Sequence, residues 1–398
     1  MLATHRISLF SHRLWQVLLG ACFLVAMHPT SVQAQVFWIG GYGPGIYASR
    51  LQPDGKMAEP KLVAEQPSPS FLALHPKLDV LYAVTESNRD PSSKSGASIV
   101  AYRYDRKAYA AGDLPKLQEI NREIIHGDAP CHVVLDATGR FAIVANYTSG
   151  SVSMFPVGDD GKLLPECDTV QHRGTGPNAA RQQGPHAHCS MVDPTNRWVL
   201  VADLGLDRVL VYELDAQNKK LRPSKHPEWV LAPGGGPRHL AFHPNGKTLY
   251  AINEMGMTLT AGSWDAAEGK LETVSDVSTV PEGKPSEGWS TAEVLVHPTG
   301  RFVYGSTRGH NTFALFGVYQ KTGAAQRVEN FDTLGKTPRN FRISPDGMYL
   351  LAENQESDTV HAFKIDSATG MLRPTGHSIR ASRPACIKFM LEPTAKTP

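Results

Sequence analysis

Phe242-His243-Pro244-Asn245-Gly246 is one of six related stretches along the chain, each an apolar residue followed by a turn and then an apolar run. The other five are Leu74-His75-Pro76, Leu135-Asp136-Ala137-Thr138-Gly139, Val192-Asp193-Pro194, Val296-His297-Pro298-Thr299-Gly300 and Ile343-Ser344-Pro345-Asp346-Gly347. They recur at intervals of roughly 45 to 60 residues, a range of self-similarity that indicates a propeller or a solenoid. We assign the histidines that precede proline in these stretches to turn structure.

Between these turns, short runs rich in Val, Ile, Tyr and Phe are bounded by Gly, Pro, Asn and Asp, which is the pattern of strands joined by hairpins. Residues 198–202, 208–212 and 220–222 are examples. No helical periodicity persists over a comparable window. Each repeat therefore contains about four strands, which is the content of one propeller blade.

The two ends of the chain supply one further blade. Residues 383–389 look like a first strand without successors, whereas residues 36–40 and 46–50 look like later strands without a predecessor. Joined in one sheet, they leave no free edge. The sequence therefore predicts an all-β, seven-bladed β-propeller, closed by pairing of its terminal strands, as a single domain over residues 35–398.

The N-terminal segment has the features of a secretory signal. Arg6 and Arg13 precede an apolar stretch over residues 17–27, and Ser31-Val32-Gln33-Ala34 is a small-residue cleavage pattern. We interpret residues 1–34 as a cleavable signal peptide and expect a periplasmic or secreted protein. In the alternative interpretation, Leu19-Gly20-Ala21-Cys22 is a lipid-attachment box that leaves Cys22 as a lipidated N-terminus. No segment is long and apolar enough to span a bilayer, which takes roughly 20 helical residues.

Charge and cysteine content exclude several classes of function. The formal net charge is +2, and the lysines and arginines are spread along the chain without a basic run, which does not support a nucleic-acid or membrane surface. The cysteines beyond residue 34 show neither metal-ligand nor paired spacing, so we expect buried free thiols rather than disulfides. These cysteines are Cys131, Cys167, Cys189 and Cys386.

Polar residues recur at two positions of the repeat. The first two strands of a blade are antiparallel, so the start of the first and the end of the second lie at the same face of the disc. The starts of the first strands carry Ser70, Cys131, His186, Arg238, Ala292, Arg339 and Ala385. The ends of the second strands carry Glu86, Tyr147, Leu204, Glu254, Arg308 and Gln355. We expect both columns to encircle one mouth of the central channel.

These residue types suggest acid–base chemistry on an anionic molecule. Converging arginines bind carboxylate or phosphate through their guanidinium forks. His186 and His188 lie two apart on a strand and share a face, and His188 is assigned to a position where the other repeats are apolar. An imidazole or Glu254 could take a proton from water, and Arg238 could stabilise negative charge on a carbonyl oxygen. Further substrate contacts are expected from Arg339, Tyr147, Glu86, Gln355 and His239.

Structural roles compete with these assignments. An arginine at a strand end can be a surface residue or the partner of a nearby carboxylate, and the two histidines could bond backbone carbonyls or chelate a metal, although no third ligand is apparent. Asp203 and Asp207 fit turn and loop-capping roles. The chain has no Gly-x-Ser-x-Gly elbow, and Gly234-Gly235-Gly236 leads into a strand rather than a helix. Serine hydrolysis and nucleotide binding therefore lack their signatures, and no cofactor is expected.

Four motifs together carry a specific resemblance. They are Gly184-Pro185-His186-Ala187-His188, Asp203-Leu204-Gly205 with Asp207, Gly236-Pro237-Arg238-His239-Leu240 with Asn253-Glu254, and Thr337-Pro338-Arg339-Asn340-Phe341 with Asn354-Gln355. Over residues 37–389 the chain resembles the seven-bladed lactonase family, which includes propeller-type 6-phosphogluconolactonases and fungal carboxy-cis,cis-muconate cyclases. The resemblance implies that His186 or His188, Arg238, Glu254 and Arg308 lie in the catalytic cleft.

The leading hypothesis from sequence is an exported monomeric lactonase that hydrolyses a small anionic, sugar-acid type of lactone. One alternative is a muconate-type cycloisomerase that closes an unsaturated dicarboxylate into a lactone. Another is a non-enzymatic periplasmic propeller that captures an anionic ligand at its mouth. The fold alone does not choose among them, because propellers carry many functions.

Overall fold

The computed structural model describes residues 34–88, 96–281 and 287–390, and these residues form seven four-stranded antiparallel sheets. Blade 1 contains β28 (Pro384–Phe389), β1 (Gln35–Gly41), β2 (Gly45–Leu51) and β3 (Lys61–Glu65). Blade 2 contains β4 (Leu72–Leu74), β5 (Val80–Thr85), β6 (Ser98–Arg103) and β7 (Gln118–Ile124). Blade 3 contains β8 (Pro130–Leu135), β9 (Phe141–Asn146), β10 (Ser151–Pro156) and β11 (Asp168–Gln171).

The remaining four blades follow in chain order. Blade 4 contains β12 (Ala187–Val192), β13 (Trp198–Asp203), β14 (Arg208–Asp215) and β15 (Lys220–Val230). Blade 5 contains β16 (Pro237–Phe242), β17 (Thr248–Asn253), β18 (Thr258–Asp265) and β19 (Lys270–Ser278). Blade 6 contains β20 (Ser290–Val296), β21 (Phe302–Arg308), β22 (Thr312–Val318) and β23 (Ala325–Asp332). Blade 7 contains β24 (Pro338–Ile343), β25 (Tyr349–Asn354), β26 (Thr359–Ile365) and β27 (Leu372–Arg380).

Blade 1 confirms the predicted closure. Strand β1 pairs antiparallel with β28, and its Phe37 lies opposite Phe389. The two chain ends are therefore held in one sheet, and the ring has no free edge at that point. Within the described residues, helical structure is limited to α1 (Arg106–Ala111), capped by the Asp105 side chain, and a 3₁₀ turn (Gln355–Ser357).

The repeated turn residues join neighbouring blades. His243 Nδ1 accepts a backbone N–H from Asn245 in its own turn, and its Nε2 donates to the carbonyl of Gly300 in the next blade over 2.8 Å. His75 and His297 make the same pair of contacts, which confirms their assignment to turns. Gly300 has φ 71°, and a Cβ there would lie 2.5 Å from His243 Nε2, which explains the glycine of the repeated stretch.

Aromatic side chains fill the space between blades. Trp38, Tyr82, Tyr250 and Tyr304 are all fully buried. Each of the three tyrosines donates its hydroxyl to a glycine carbonyl of the following blade, at distances of 2.6 to 2.8 Å. A buried tyrosine hydroxyl needs such a partner, so these bonds fix the angle between blades as well as satisfying the polar atom.

A β-bulge at the start of the first strand directs side chains towards one mouth of the channel. In blades 1, 3, 4, 5 and 7, one residue of the first strand lies between two paired residues and has no partner on the second strand. In blade 1 this residue is Ala385, and in the other four blades it has a polar or thiol side chain. These four residues are Cys131, His188, Arg238 and Arg339. A bulge redirects a side chain and is common next to active sites. The same device therefore presents four chemically active side chains from four blades.

The four cysteines Cys131, Cys167, Cys189 and Cys386 are free thiols, three of them buried and Cys167 half-buried. Within the described part of the chain, no helix has the length and apolar character needed to cross a membrane. The proposed signal peptide, including Cys22, lies outside the described residues except for Ala34.

Candidate active site

The two predicted columns meet at one mouth of the central channel, which we call the arginine mouth. The cavity there is lined by Tyr42, Ser70, Phe71, Glu86, Cys131, His188, Arg238, His239, Arg339, Asn340 and Ala385. First-strand and second-strand residues from several blades thus share one opening. The cavity has an accessible volume of only about 10 Å³, close to that of a single water molecule. A sugar-sized molecule must therefore bind over the opening rather than inside the channel.

The register of blade 4 differs from the prediction. His188, not His186, occupies the bulge position shared by Cys131, Arg238 and Arg339. The assignment failed because Ala187 stands in blade 4 where the other bulged strands begin with proline, and the Pro185-His186 pair belongs to the preceding loop. Ser190, rather than His188, takes the position that is apolar in the other blades. His188 is therefore a member of the polar ring and not an exception within an apolar column.

Glu254 is the centre of an arginine cluster. Its Oε2 lies 3.0 Å from Arg238 Nε and 2.9 Å from Arg308 Nη2, and its Oε1 accepts from Arg181 Nη2 at 2.8 Å. Burial alone would raise the pKa of Glu254, but the arginines, led by Arg308 and Arg238, outweigh it and lower the pKa to about 2. The carboxylate therefore stays ionised and acts as the anchor of three cations.

Arg238 is held rigidly by its surroundings. The side chain is buried, Nη1 donates to the Ala292 carbonyl at 2.7 Å, and the Glu254 carboxylate contacts Nε. Burial, with the neighbouring Arg339 and Arg308, lowers the pKa of Arg238 to about 10, which leaves it charged near neutral pH. Arg308 is fixed in the same way by the Thr291 carbonyl at 2.8 Å. Both guanidinium groups are thus oriented before any ligand arrives.

The two histidines lie side by side but in different environments. His186 is half-buried, stacks on the Tyr147 ring at 4.6 Å and bonds through Nδ1 to the Tyr147 carbonyl at 3.0 Å. A carbonyl can only accept, so Nδ1 carries the proton and Nε2 keeps a lone pair. His188 is buried, with Nδ1 3.8 Å from Cys131 Sγ. Burial and Arg238 hold the pKa of His188 well below its usual range, which leaves it neutral.

Arg339 is less tightly paired than Arg238 and Arg308. Among the described residues, its guanidinium has no hydrogen-bond or ion-pair partner, and it lies 5.0 Å from the centre of the Tyr42 ring. Burial alone would lower the pKa of Arg339, but Tyr42 and Glu86 outweigh that effect and raise it. The Tyr42 hydroxyl donates to both oxygens of Glu86 at 2.9 Å. Arg339 is therefore the cation of the arginine mouth that is open to an external anion.

The remaining predicted residues have structural surroundings. His239 is buried on the floor of the cavity and bonds to Glu293 at 2.8 Å. Gln355 is buried in the 3₁₀ turn and is absent from the residues that line the cavity. Asp207 accepts backbone N–H bonds from Gly234 and Gly236, in agreement with the predicted loop-capping role. No group of three or more His, Cys, Asp or Glu side chains within the described ranges is arranged to hold a metal ion.

Sequence reasoning missed two residues of the site. Tyr42 follows Gly41 at the end of the second strand of blade 1, so the rule that selected Glu86 and Tyr147 would have selected it as well. Arg181 comes from the loop between β11 and β12, outside the repeat, and no periodic signal points to it. That loop is fixed by Gln182, which donates to Asp207 and to the Leu204 carbonyl.

Asp203 connects the histidine loop to the blade. Its Oδ1 accepts the backbone N–H of His186 at 2.8 Å, and its Oδ2 lies 2.6 Å from His172 Nδ1, with both side chains fully buried. This agrees with the predicted loop-capping role. It also fixes the backbone that carries the His186 imidazole.

Comparison with known proteins identifies the family of this chain. A family model described as "Lactonase, 7-bladed beta-propeller" matches residues 36–389. The chain belongs to the seven-bladed β-propeller lactonase family. It is 33% identical over 351 residues to a 6-phosphogluconolactonase of Bacillus subtilis, covering 88% of this chain and 95% of that protein. Identity to a 6-phosphogluconolactonase of Formosa agariphila is 34% over 338 residues, covering 83% and 91% of the two chains.

Solved structures of this lactonase family include a periplasmic member. The periplasmic gluconolactonase of Pseudomonas aeruginosa superposes with a TM-score of 0.83 at 26% identity, covering 91% of this chain and all of that one (100%). The expected seven-bladed fold is confirmed, and so, at the level of the family, is the expectation of a hydrolase that acts on a carboxylic ester.

Proposed function

We propose that this lactonase hydrolyses a small anionic lactone of the sugar-acid type, bound over the arginine mouth. The observation that carries the proposal is Arg339, a half-buried guanidinium that makes no hydrogen bond or ion pair among the described residues. Together with Arg181, Arg238 and Arg308, it outnumbers the nearby carboxylates of Glu254 and Glu86. An anionic substrate supplies the missing negative charge. A neutral ligand would leave Arg339 unpaired, which is unfavourable once water is excluded.

In the proposed reaction, His186 is the general base. Its Nε2 takes a proton from water as the water oxygen bonds to the lactone carbonyl carbon, and Arg238 stabilises the negative charge that develops on the carbonyl oxygen. The ring C–O bond then breaks, and the proton passes to the leaving alkoxide, so the product is the open hydroxy acid. Glu254, with its low pKa, compensates the charge of the arginines and does not serve as the base. His188 contributes to the wall of the cavity as a neutral imidazole.

The names of similar proteins suggest which lactones to test as substrates. Proteins from Bacillus subtilis and Formosa agariphila are named 6-phosphogluconolactonase, and the Pseudomonas aeruginosa structure is of a gluconolactonase. We propose a lactone with an acidic substituent, so a panel should contain 6-phosphogluconolactone, uronic-acid lactones and neutral gluconolactone. Lactone hydrolysis releases acid, which a pH indicator detects. A cycloisomerase would instead convert a dicarboxylate into a lactone without consuming water, and a binding protein would bind without turnover.

Matched variants test the assignment of the base. His186→Gln should lower kcat by about 100-fold, the usual contribution of one general base, whereas His188→Gln should retain most of it. Both variants need thermal unfolding curves, because His188 is buried. Full activity of His186→Gln on a lactone that the parent protein hydrolyses would refute the role of His186. The reverse ranking of the two variants would move the base to His188.

We further propose that the protein is exported and monomeric. The signal-like residues 1–34 support export, and the periplasmic location of the Pseudomonas aeruginosa relative is in accord with it. Intact-mass measurement of the protein purified from cell fractions should give a chain that starts at Gln35. A lipidated chain that starts at Cys22 would support the alternative N-terminus, and an intact Met1 in the cytoplasm would refute export.

A further inference from the structure

The opposite opening of the channel, which we call the lower mouth, contains a larger cavity than the arginine mouth. Its volume is about 650 Å³, within the range typical of small-molecule sites. It is lined by the ends of the first strands, near the turns of the repeated stretches. The apolar residue that opens the stretch lines this cavity in four of the six repeats, a placement that lactone hydrolysis does not explain.

Two cations interrupt an apolar column at this mouth. The penultimate residue of the first strand is apolar in five blades and cationic in adjacent blades 7 and 1. The column consists of Ala73, Val134, Met191, Ala241, Leu295, Arg342 and Lys388. Arg342 and Lys388 line the cavity, and both are half-buried. One side of the lower mouth is therefore cationic, and the rest of it is apolar.

These two cations form no direct ion pair among the described residues. Neither side chain makes a hydrogen bond or an ion pair, and the ammonium group of Lys388 lies 4.6 Å from the centre of the Phe71 ring. The acidic residue that lines the same cavity, Asp136, accepts bonds from its own turn at Thr138 and Phe141. Its carboxylate is therefore already engaged in the turn.

The buried acids behind the cations do not neutralise them either. Glu293 is paired with His239 at 2.8 Å. Glu353 is fully buried, and both its carboxyl oxygens lack hydrogen-bond partners. Burial, reinforced by Glu293, raises the pKa of Glu353 well above its usual range, which favours the uncharged acid. Burial lowers the pKa of Lys388, and Glu293 and Glu353 oppose that effect without forming an ion pair with it. The lower mouth therefore contains two basic side chains without a direct anionic partner among the described residues.

The apolar part of the cavity is partly open to solvent. Leu74, Leu135, Met191, Leu295 and Val296 all line it and are only half-buried. A partly open apolar wall with a few charged groups is the usual lining of a small-molecule site. Methionine adds a side chain that adapts to differently shaped ligands.

We propose that the lower mouth binds a small amphiphilic carboxylate, with its carboxylate between Arg342 and Lys388 and its hydrocarbon chain over Met191, Leu295 and Val134. Charge complementarity selects an anion over an alcohol, and the apolar wall selects a chain of several methylenes over acetate. This site lies on the face of the disc opposite to the arginine mouth, and it does not depend on which lactone is hydrolysed.

Titration calorimetry of the full protein with sodium decanoate tests the proposal. We expect saturable one-to-one binding, with acetate and decanol each at least about tenfold weaker. Lys388→Met and Arg342→Leu restore the apolar column and should each weaken decanoate binding by about tenfold or more. Lys247→Met, at an exposed turn on the same face, is the matched control and should bind like the parent.

Several results would overturn the proposal. They are absence of decanoate binding to the parent protein, equal binding of decanol, or unchanged binding by both cation variants with normal thermal unfolding. If light scattering shows a dimer that Leu295→Glu converts to a monomer, the lower mouth is a contact between two copies and not a ligand site. Loss of folding in Lys388→Met leaves Arg342→Leu as the deciding variant.

Discussion

Arg238 Nε and Glu254 Oε2 lie 3.0 Å apart, with both side chains buried, yet Nε does not reach hydrogen-bond geometry and is left without such a partner. The contact is therefore electrostatic, and the direction of the guanidinium is set by its bond to the Ala292 carbonyl. Arg238 thus keeps its orientation independently of Glu254, whereas its charge depends on Glu254 for compensation. Substitution of Arg238 and substitution of Glu254 should therefore have different consequences.

Glu254→Gln should destabilise the protein more than it disturbs the shape of the site. Without the carboxylate, Arg238 and Arg308 remain buried without a counter-ion, a situation that costs about 3 to 5 kcal/mol. Denaturant unfolding at neutral pH should show that loss. Arg181→Ala is the comparison, because Arg181 is 42% exposed and its bond to Glu254 is screened by water. An equal, small effect of both variants would contradict the central position of Glu254.

Glu254 should also make the stability of the folded protein sensitive to acid. The folded-state pKa of Glu254 is about 2, below the usual value of 4.5. Its stabilising contribution is therefore complete above about pH 4.5 and is lost as the pH falls towards 2. The parent protein and Glu254→Gln should differ in unfolding free energy by about 3 kcal/mol at neutral pH and converge in acid. Parallel curves over this range would show that Glu254 keeps an ordinary pKa.

Arg339→Met should affect binding rather than folding. Because Arg339 makes no hydrogen bond or ion pair among the described residues, its removal should change the unfolding free energy by at most about 0.5 kcal/mol. For an anionic lactone, KM should rise by about tenfold with a smaller change in kcat, since the charge is used in binding. Turnover of a neutral lactone serves as the control and should change little. A similar KM increase for both lactones would exclude recognition of the anionic group by Arg339.

The sequence was sufficient for the fold because each repeat carries its own turn. Residues such as His243 and Gly300 make contacts that recur between blades, so the repeat predicted six blades. The unpartnered strands at the two chain ends predicted the seventh blade and the closure of the ring. The same periodicity predicted the face where Arg238, Glu254 and Arg308 meet. Equivalent positions of the repeat lie at the same face of the disc. Residues that are distant in the sequence could therefore be predicted to lie close together.

Features outside the repeat could not be predicted in this way. Arg181 reaches Glu254 from an irregular loop whose path is set by contacts such as that between Gln182 and Asp207. The error over His186 and His188 has a similar cause, because blade 4 lacks the proline that marks the bulge in other blades. The sequence also could not show which arginines form ion pairs with Glu254. Arg181, Arg238 and Arg308 all contact Glu254, whereas Arg339 forms no ion pair among the described residues.

The contribution of the hydrogen bonds between neighbouring blades to stability should be measurable at His243. His243→Ala removes the donor to Gly300 and the acceptor for the Asn245 N–H, both at a buried site. Two such hydrogen bonds together contribute about 2 kcal/mol. Thermal unfolding should show the loss, and His377→Ala, a half-exposed position, should leave stability unchanged. Equal stability of the two variants would mean that the turn histidines do not hold the blades together.

Glu353 should make the protein less stable as the pH rises. Its folded-state pKa is raised well above 4.5 by burial, so the folded protein retains a proton that the unfolded chain releases above about pH 4.5. The stabilising effect of that proton is complete below about pH 4.5 and declines as the pH rises towards the folded-state pKa. Glu353→Gln cannot ionise, so its unfolding free energy should lack this decline. The two proteins should therefore differ progressively from pH 5 to pH 9 in denaturant titrations. A constant difference would show that Glu353 is ionised in the folded state, and Lys388 would then have a buried counter-ion after all.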